Sequence, residues 1–408
     1  MIFSGLLIKK YSDGKIKLIN LADGDEALAD QKALNLIISM SLKPSRVTCS
    51  EEEIALLVAL EEGIAIFAED GVSSPVISEG DFENLEISPT DSCNLLCRHC
   101  CVFDEDNPKR DHSIDINLLE KTIIDAEKMG MYSLRLSGGE ILTYYAVERL
   151  LTFLNMRNVR TNIVTNGLLL DRFLSSMNNA RMSFIISLDG FEASHDYLRG
   201  EGTFVRTKKN IEMAIDAGFE VEVNMVVYDK NVGDVDAFSE FVKDIGASSL
   251  NIQALRPVGR ASHCLTGKMV TDEKFLRDIH QNELLSQMAK IEDGVTFCTS
   301  CKSGLIIDHD ANVFGCVFLA EKPTGNLQKD SIATIYARAI AENPLHDLNT
   351  LSECSNCELF KKVCAGGCRA RAYKMTGSIY GCDYWIPFLI GHPKFEKSGR
   401  RPHEFLLI

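Results

Sequence analysis

Apolar and polar residues alternate through Phe3–Ile8 and Lys15–Asn20, on either side of Asp13-Gly14, which predicts two short strands joined by a turn. The period then changes. Gln31–Leu42 and Ser50–Leu60 repeat their apolar residues at helical spacing, the second with Ser50 as N-cap and Glu52 and Glu53 in its first turn. Gly63–Ala68 reads as a further strand, and the Gly-, Ser- and Asp-rich stretch Glu69–Asp81 as a linker. A hairpin with two or three helices gives a small winged-helix-like unit over residues 1–80.

From about residue 84 to 260 the pattern is strand followed by helix, repeated. The strands predicted are Leu85–Ser88, Ser133–Leu136, Arg160–Val164, Ser183–Ser187, Glu220–Val227 and Leu250–Ala254. Helical segments such as Ile116–Met129, Tyr145–Met156 and Val205–Ala217 separate them. Right-handed crossovers between such units build a parallel sheet, and six units are too few to close an eight-stranded barrel, so an open, partial barrel is expected. Chemistry in these folds collects where the strands end. Helices over residues 272–292, within a bridging segment 261–297, lead to a cysteine-rich region at 298–390 and a tail at 391–408.

Composition narrows the function. A net charge of −15 and a pI near 5.1 leave no broad basic face for nucleic acid or anionic membrane. The only basic run, Lys397–Arg401, reads as a solvated tail. No stretch approaches the roughly 20 apolar residues that span a bilayer, and no export signal is evident, so a cytoplasmic protein is expected. Fourteen cysteines in a reducing compartment then read as metal ligands rather than disulfides. Eleven fall in two groups, and Cys49, Cys101 and Cys264 are left over as small buried hydrophobes or bystanders.

The first group is Cys93-x3-Cys97-x2-Cys100, directly after the first barrel strand. Three thiolates on one loop can hold three irons of a [4Fe–4S] cluster and leave the fourth open. A zinc site is the alternative, but zinc takes four ligands, and Cys101 is placed awkwardly to supply one. Ser137-Gly138-Gly139-Glu140 ends the second strand, Thr165-Asn166-Gly167 the third and Ser187-Leu188-Asp189-Gly190 the fourth. His195-Asp196-x2-Arg199-Gly200 follows, and Leu255 ends the sixth strand.

This constellation resembles the radical S-adenosylmethionine (SAM) superfamily over residues 84–390, which implies a partial (β/α)6 barrel of radical SAM type. The resemblance implies a SAM-binding [4Fe–4S] cluster on Cys93, Cys97 and Cys100. It also implies SAM contacts from Ser137, Gly138, Gly139, Glu140, Asn166, Ser187, Asp189, Arg199 and Leu255. Asp189 is a candidate catalytic base, or part of a turn with Gly190; Arg199 faces the SAM carboxylate or orders its loop.

The second group resembles the SPASM extension of peptide- and protein-modifying members. Asp310–Cys316 matches its hairpin, with Ala311 where glycine is usual, and Cys354-x2-Cys357-x6-Cys364-x3-Cys368 matches its core with one extra residue. The resemblance assigns Cys298, Cys301, Cys316 and Cys368 to one auxiliary [4Fe–4S] cluster and Cys354, Cys357, Cys364 and Cys382 to another. Three clusters are thus expected; a zinc ribbon is the alternative for the paired cysteines. Residues 1–80 resemble the PqqD-like element that recognises leader peptides, the alternative being a capping domain. The function implied is oxidative maturation of a ribosomally made precursor peptide, with electrons from an external donor such as flavodoxin or ferredoxin. A sulfatase-maturase-like protein oxidase and a non-catalytic iron–sulfur scaffold are the other readings.

Overall fold

A computed structural model describes residues 6–21, 25–42, 50, 56, 58, 76–103, 111–292, 298, 303–316, 323–342, 351, 354–399 and 401. Strand β1 (Leu6–Lys10) turns back at Gly14, whose φ of 87° lies in the region glycine enters without a Cβ clash, into β2 (Ile16–Asn20). Strand β3 (Glu26–Ala29) continues the meander, and β4 (Val76–Glu79) adds to the far side of β1 in parallel. The order is β3-β2-β1-β4.

Alternation decides what each face does. Leu6, Ile8, Ile16 and Leu18 point to one side, where Leu34 and Ile37 of helix α1 (Gln31–Leu42) cover them. Leu7, Ile19 and Leu21 point to the other and pack on Tyr132, just before a barrel strand. Lys9 shares that second face and is completely buried. Its ammonium donates to the carbonyls of Phe82 (2.9 Å) and Gly130, and burial lowers its pKa to about 8.

Two expectations for this unit change. The segment read as a linker contains β4, a short strand whose polar surroundings mask it, and the sheet gains β3 as well. The strand at Gly63–Ala68 lies outside the described residues, as does the helix at Ser50–Leu60 apart from Ser50 and from Leu56 and Val58, which are helical.

The barrel strands are β5 (Asn84–Ile87), β6 (Ser133–Leu136), β7 (Arg160–Thr165), β8 (Met182–Ser187), β9 (Val221–Val227) and β10 (Ser249–Ala254). Each pairs in parallel with its successor. Crossovers include α2 (Ile116–Lys128), α3 (Val147–Asn155), α4 (Glu192–Arg199), α5 (Thr203–Asp216) and α6 (Val235–Asp244). Asp115 starts α2 by accepting from the backbone N–H groups of Asn117 and Leu118.

The sheet does not stop at β5. Strand β11 (Gly304–Ile307) pairs in parallel with it, and β12 (Asn312–Phe314) and β13 (Gly325–Asn326) follow antiparallel. Nine strands thus run in the order β10-β9-β8-β7-β6-β5-β11-β12-β13. The hairpin of the cysteine-rich region is built onto the barrel's open edge. A Cβ at Gly304 would meet the Asn84 carbonyl at 2.6 Å, so a side chain there would prevent the pairing.

Candidate active site

The C-terminal ends of β5–β10 surround a cavity of about 310 Å³. Cys93, Cys97 and Cys100 line one part of it. Their loop is anchored from three directions. The Arg98 N–H donates to the Leu198 carbonyl (2.8 Å), while the Arg98 guanidinium lies 4.3 Å above the Tyr197 ring. The Arg260 N–H donates to the carbonyls of Cys100 (2.9 Å) and Phe103 (2.8 Å), behind Gly259, where a Cβ would come within 2.4 Å of the Cys100 oxygen. Asn166 Nδ2 donates to Asn94 Oδ1 at 2.8 Å, tying the loop to the end of β7.

The segment after β6 runs against the start of this loop. Gly139 donates to the Thr90 carbonyl (2.9 Å) and Glu140 to that of Ser92 (2.7 Å). A Cβ on Gly139 would sit 2.2 Å from the Ser92 oxygen, which explains the glycine by close approach. Ser137, Gly138, Gly139 and Glu140 all line the cavity. The Glu140 carboxylate is buried and accepts from Thr165 Oγ1 (2.7 Å), Asn166 N (2.7 Å) and Leu142 N (3.1 Å). Burial raises its pKa against those donors.

Asn166, Ser187, Arg199 and Leu255 also line the cavity; Asp189 does not. Its carboxylate is fully buried behind Arg199, receiving Arg199 Nε at 2.6 Å and the Val226 N–H at 2.8 Å. Burial alone would raise its pKa, but Arg199 and nearby His99 hold it near 2. Asp189 is thus placed to orient a guanidinium.

Sequence reasoning gave no role to several neighbours, His195 among them although its motif was noted. His99 sits 3.5 Å from Asp189 and 3.2 Å from Arg199 Nη2, and burial lowers its pKa to about 4. His195 accepts the Asp189 N–H on Nδ1 (3.0 Å) and is likewise lowered to about 4 by burial. Asn224 of β9, Gln253 of β10 and Arg256 just after it add polar wall. The one usable signal for these was position: polar residues at the ends of otherwise apolar strands.

The donor set fits an iron–sulfur group. Burial pushes Cys93 up to about 11 and raises Cys97, so these thiols stay protonated until a metal's charge favours the thiolate. His99 Nδ1, between two of the cysteines in sequence, is buried with no partner among the described residues, an atom that a bound group would satisfy.

The C-terminal cysteines are held differently. Lys394 Nζ contacts Cys357 Sγ at 3.1 Å and also Cys382, bringing a tail residue onto both. Burial pushes Cys364 to about 12, with Cys354 nearby, and Cys382 to about 11. The Cys368 N–H donates to Asp383 Oδ2 (2.7 Å), and Asp383 also binds Arg371, which reaches Glu283 on the helix Gln281–Glu292. Cys298 and Cys316 are half-buried, and Cys301 lies outside the described residues. Among the described residues no helix is long and apolar enough to cross a membrane.

Residues 87–242 match the family model of the Radical SAM superfamily. The AdoMet-dependent heme synthase of Methanosarcina barkeri is 28% identical over 326 residues, covering 71% of this chain and 91% of that protein. The antilisterial bacteriocin subtilosin biosynthesis protein AlbA of Bacillus subtilis is 25% identical over 262 residues, 60% of this chain and 58% of AlbA. Among solved structures, Streptococcus suis SuiB bound to its precursor peptide SuiA superposes with a TM-score of 0.64 over 94% of this chain and 99% of SuiB. At 16% identity that likeness is one of fold.

Proposed function

We propose that the chain, which carries a radical SAM domain, matures a ribosomally made precursor peptide by hydrogen abstraction. The observation that carries this reading is the meeting of Cys93, Cys97 and Cys100 with Gly138–Glu140 in one cavity at the strand ends. Bound there, a [4Fe–4S] cluster supplies the electron that splits a carbon–sulfur bond of SAM and frees a 5′-deoxyadenosyl radical. The chain's own part is to hold and to exclude. Backbone at Ser137–Gly139 and the Glu140 carboxylate receive the SAM ammonium, while Arg199, oriented by Asp189, faces its carboxylate. Ser187 and Leu255 border the nucleoside.

A thioether or carbon–carbon cross-link needs the peptide to lose a second hydrogen as a proton and an electron. Cys298, Cys301, Cys316 and Cys368 would hold one auxiliary cluster and Cys354, Cys357, Cys364 and Cys382 another, which would supply an acceptor for that electron. An external flavodoxin or ferredoxin supplies the electron for SAM cleavage. The leader pairs with β3, an edge strand among the described residues, whose Leu28 side chain is exposed.

The test is anaerobic incubation of the reconstituted full chain with SAM, reductant and each peptide encoded beside its gene. Peptide loss of two hydrogens, matched mole for mole to 5′-deoxyadenosine, is the expected result. No 5′-deoxyadenosine at all leaves a scaffold and sinks the proposal. Leu28→Glu tests the leader site: a raised peptide KM is expected, with peptide-free SAM cleavage unchanged. A second reading, oxidation of a heme precursor, is favoured by the identity to heme synthases, and the same assay with a porphyrin in place of peptide decides between them.

A further inference from the structure

Outside the cavity, three segments far apart in sequence bring metal-ligating atoms together. Asp91 follows β5, two residues before Cys93; His112 precedes α2; His309 sits in the β11–β12 turn. One ligand atom from each lies within 4.8 Å of the other two. The geometry points to a divalent-metal clamp on Asp91, His112 and His309, of the zinc class, with Asp310 beside it.

The ligands are set by backbone as well as by each other. Residues 90–91 and 112–113 form a small antiparallel bridge: Asp91 N donates to the His112 carbonyl (3.1 Å), and His112 N donates to Asp91 Oδ1 (2.6 Å). This leaves Asp91 Oδ2 directed at His309 Nε2, 3.7 Å away. The Asp91 side chain is only 5% exposed, so burial restricts its motion and keeps that approach in place. On the opposite side, Asp308 Oδ1 accepts from Asp310 N (3.0 Å) and Asn312 N (2.8 Å), so the turn presents His309 and Asp310 in fixed register. Asp310 lies 3.1 Å from His112 Nδ1 and 3.8 Å from His309 Nε2.

Two imidazoles with one or two carboxylates suit zinc better than magnesium or calcium, which prefer all-oxygen shells. Tetrahedral zinc with bonds of about 2.0–2.1 Å needs its ligand atoms about 3.3–3.4 Å apart. His112 is 47% exposed and Asp310 54%, so both can move the remaining ångström, and water completes the shell. Such a clamp ties the strand leading into the Cys93 loop to the hairpin that extends the sheet. Neither SAM nor iron is involved, so its fate is separate from that of the proposed activity.

The experiment uses the full chain with its iron–sulfur sites filled anaerobically, given one equivalent of zinc sulfate and desalted. Zinc and iron per chain are read by plasma mass spectrometry, and thermal stability with and without zinc by circular dichroism. The wild type should retain about one zinc and melt several degrees higher with it. His112→Gln/His309→Gln should keep its iron, lose that zinc and show no zinc-dependent shift. Because His112 is half-exposed, the single variant His112→Gln covers the case of a misfolded double variant, and should weaken zinc retention at least tenfold. Equal zinc in wild type and variants would place it on cysteines and overturn the clamp, as would a wild type that retains none.

Discussion

The two cysteine-rich regions solve the same problem by opposite means. The loop of Cys93, Cys97 and Cys100 is held largely by backbone: strand ends, glycines that admit a carbonyl at close range, and main-chain hydrogen bonds from Arg98 and Arg260. The C-terminal cysteines rest on short elements, and charged side chains do the holding, with Arg371 between Asp383 and Glu283 and Lys394 on Cys357 and Cys382. A backbone-held site tolerates side-chain changes but not added volume. A charge-held site does not tolerate the loss of one ion, because the partner is then left buried and unpaired.

The most severe break in this comparison is Cys97→Ala. It should abolish 5′-deoxyadenosine formation, by at least a thousandfold, while iron per chain falls only by the share of one cluster. Loss of all iron would mean that the two regions are not independent. Next is Arg371→Ala, which strands Asp383 and Glu283 and should cost about 3–5 kcal/mol, read as a lower denaturation midpoint with iron lost from the C-terminal region. Unchanged stability would remove the charge-held description. Gly139→Ala should follow: its Cβ collides with the Ser92 and Asp91 carbonyls at 2.2 and 2.6 Å, so SAM cleavage should fall about a hundredfold with auxiliary iron retained.

The smallest effect is on pH dependence. His195 is buried with its pKa lowered to about 4, below the unfolded value of about 6.5. Between those values the unfolded chain binds the proton and the folded chain does not, so the stabilisation is complete above pH 6.5 and fades as pH falls towards 4. By pH 4 the loss is on the order of 2–3 kcal/mol. His195→Asn keeps an acceptor for the Asp189 N–H and should flatten the thermal-midpoint profile over that window; a profile as steep as wild type would contradict it.

The legibility of the molecule divides along the same line. The barrel strands were readable because their apolar positions, most of them alternating with polar ones, carry a local signal, and the observed limits differ by only a residue or two. Cys93, Cys97, Cys100 and Ser137–Glu140 drew notice because each motif is local in sequence, and the structure brings them to one cavity. What stayed hidden depends on distant partners. Val76–Glu79 becomes a strand only because Leu7–Lys10 lies beside it, and Gly304–Ile307 only because β5 offers an open edge. His99 and His195 carry no role legible in sequence; their meaning comes from Asp189, delivered by the end of β8. The cavity also places Asp189 behind Arg199, which the Asp-Gly turn alone could not reveal.

Lys9 carries a consequence for how the chain is made. Among the described residues its ammonium finds its oxygen partners at Phe82 and Gly130, so a ribosome must add some 120 residues after it before the clip can close. Strand β1 therefore emerges well before the partners that fix Lys9 in place. Until then the nascent hairpin carries a solvated charge on the face that will later be sealed against the barrel, a built-in guard against sticking to the wrong partner.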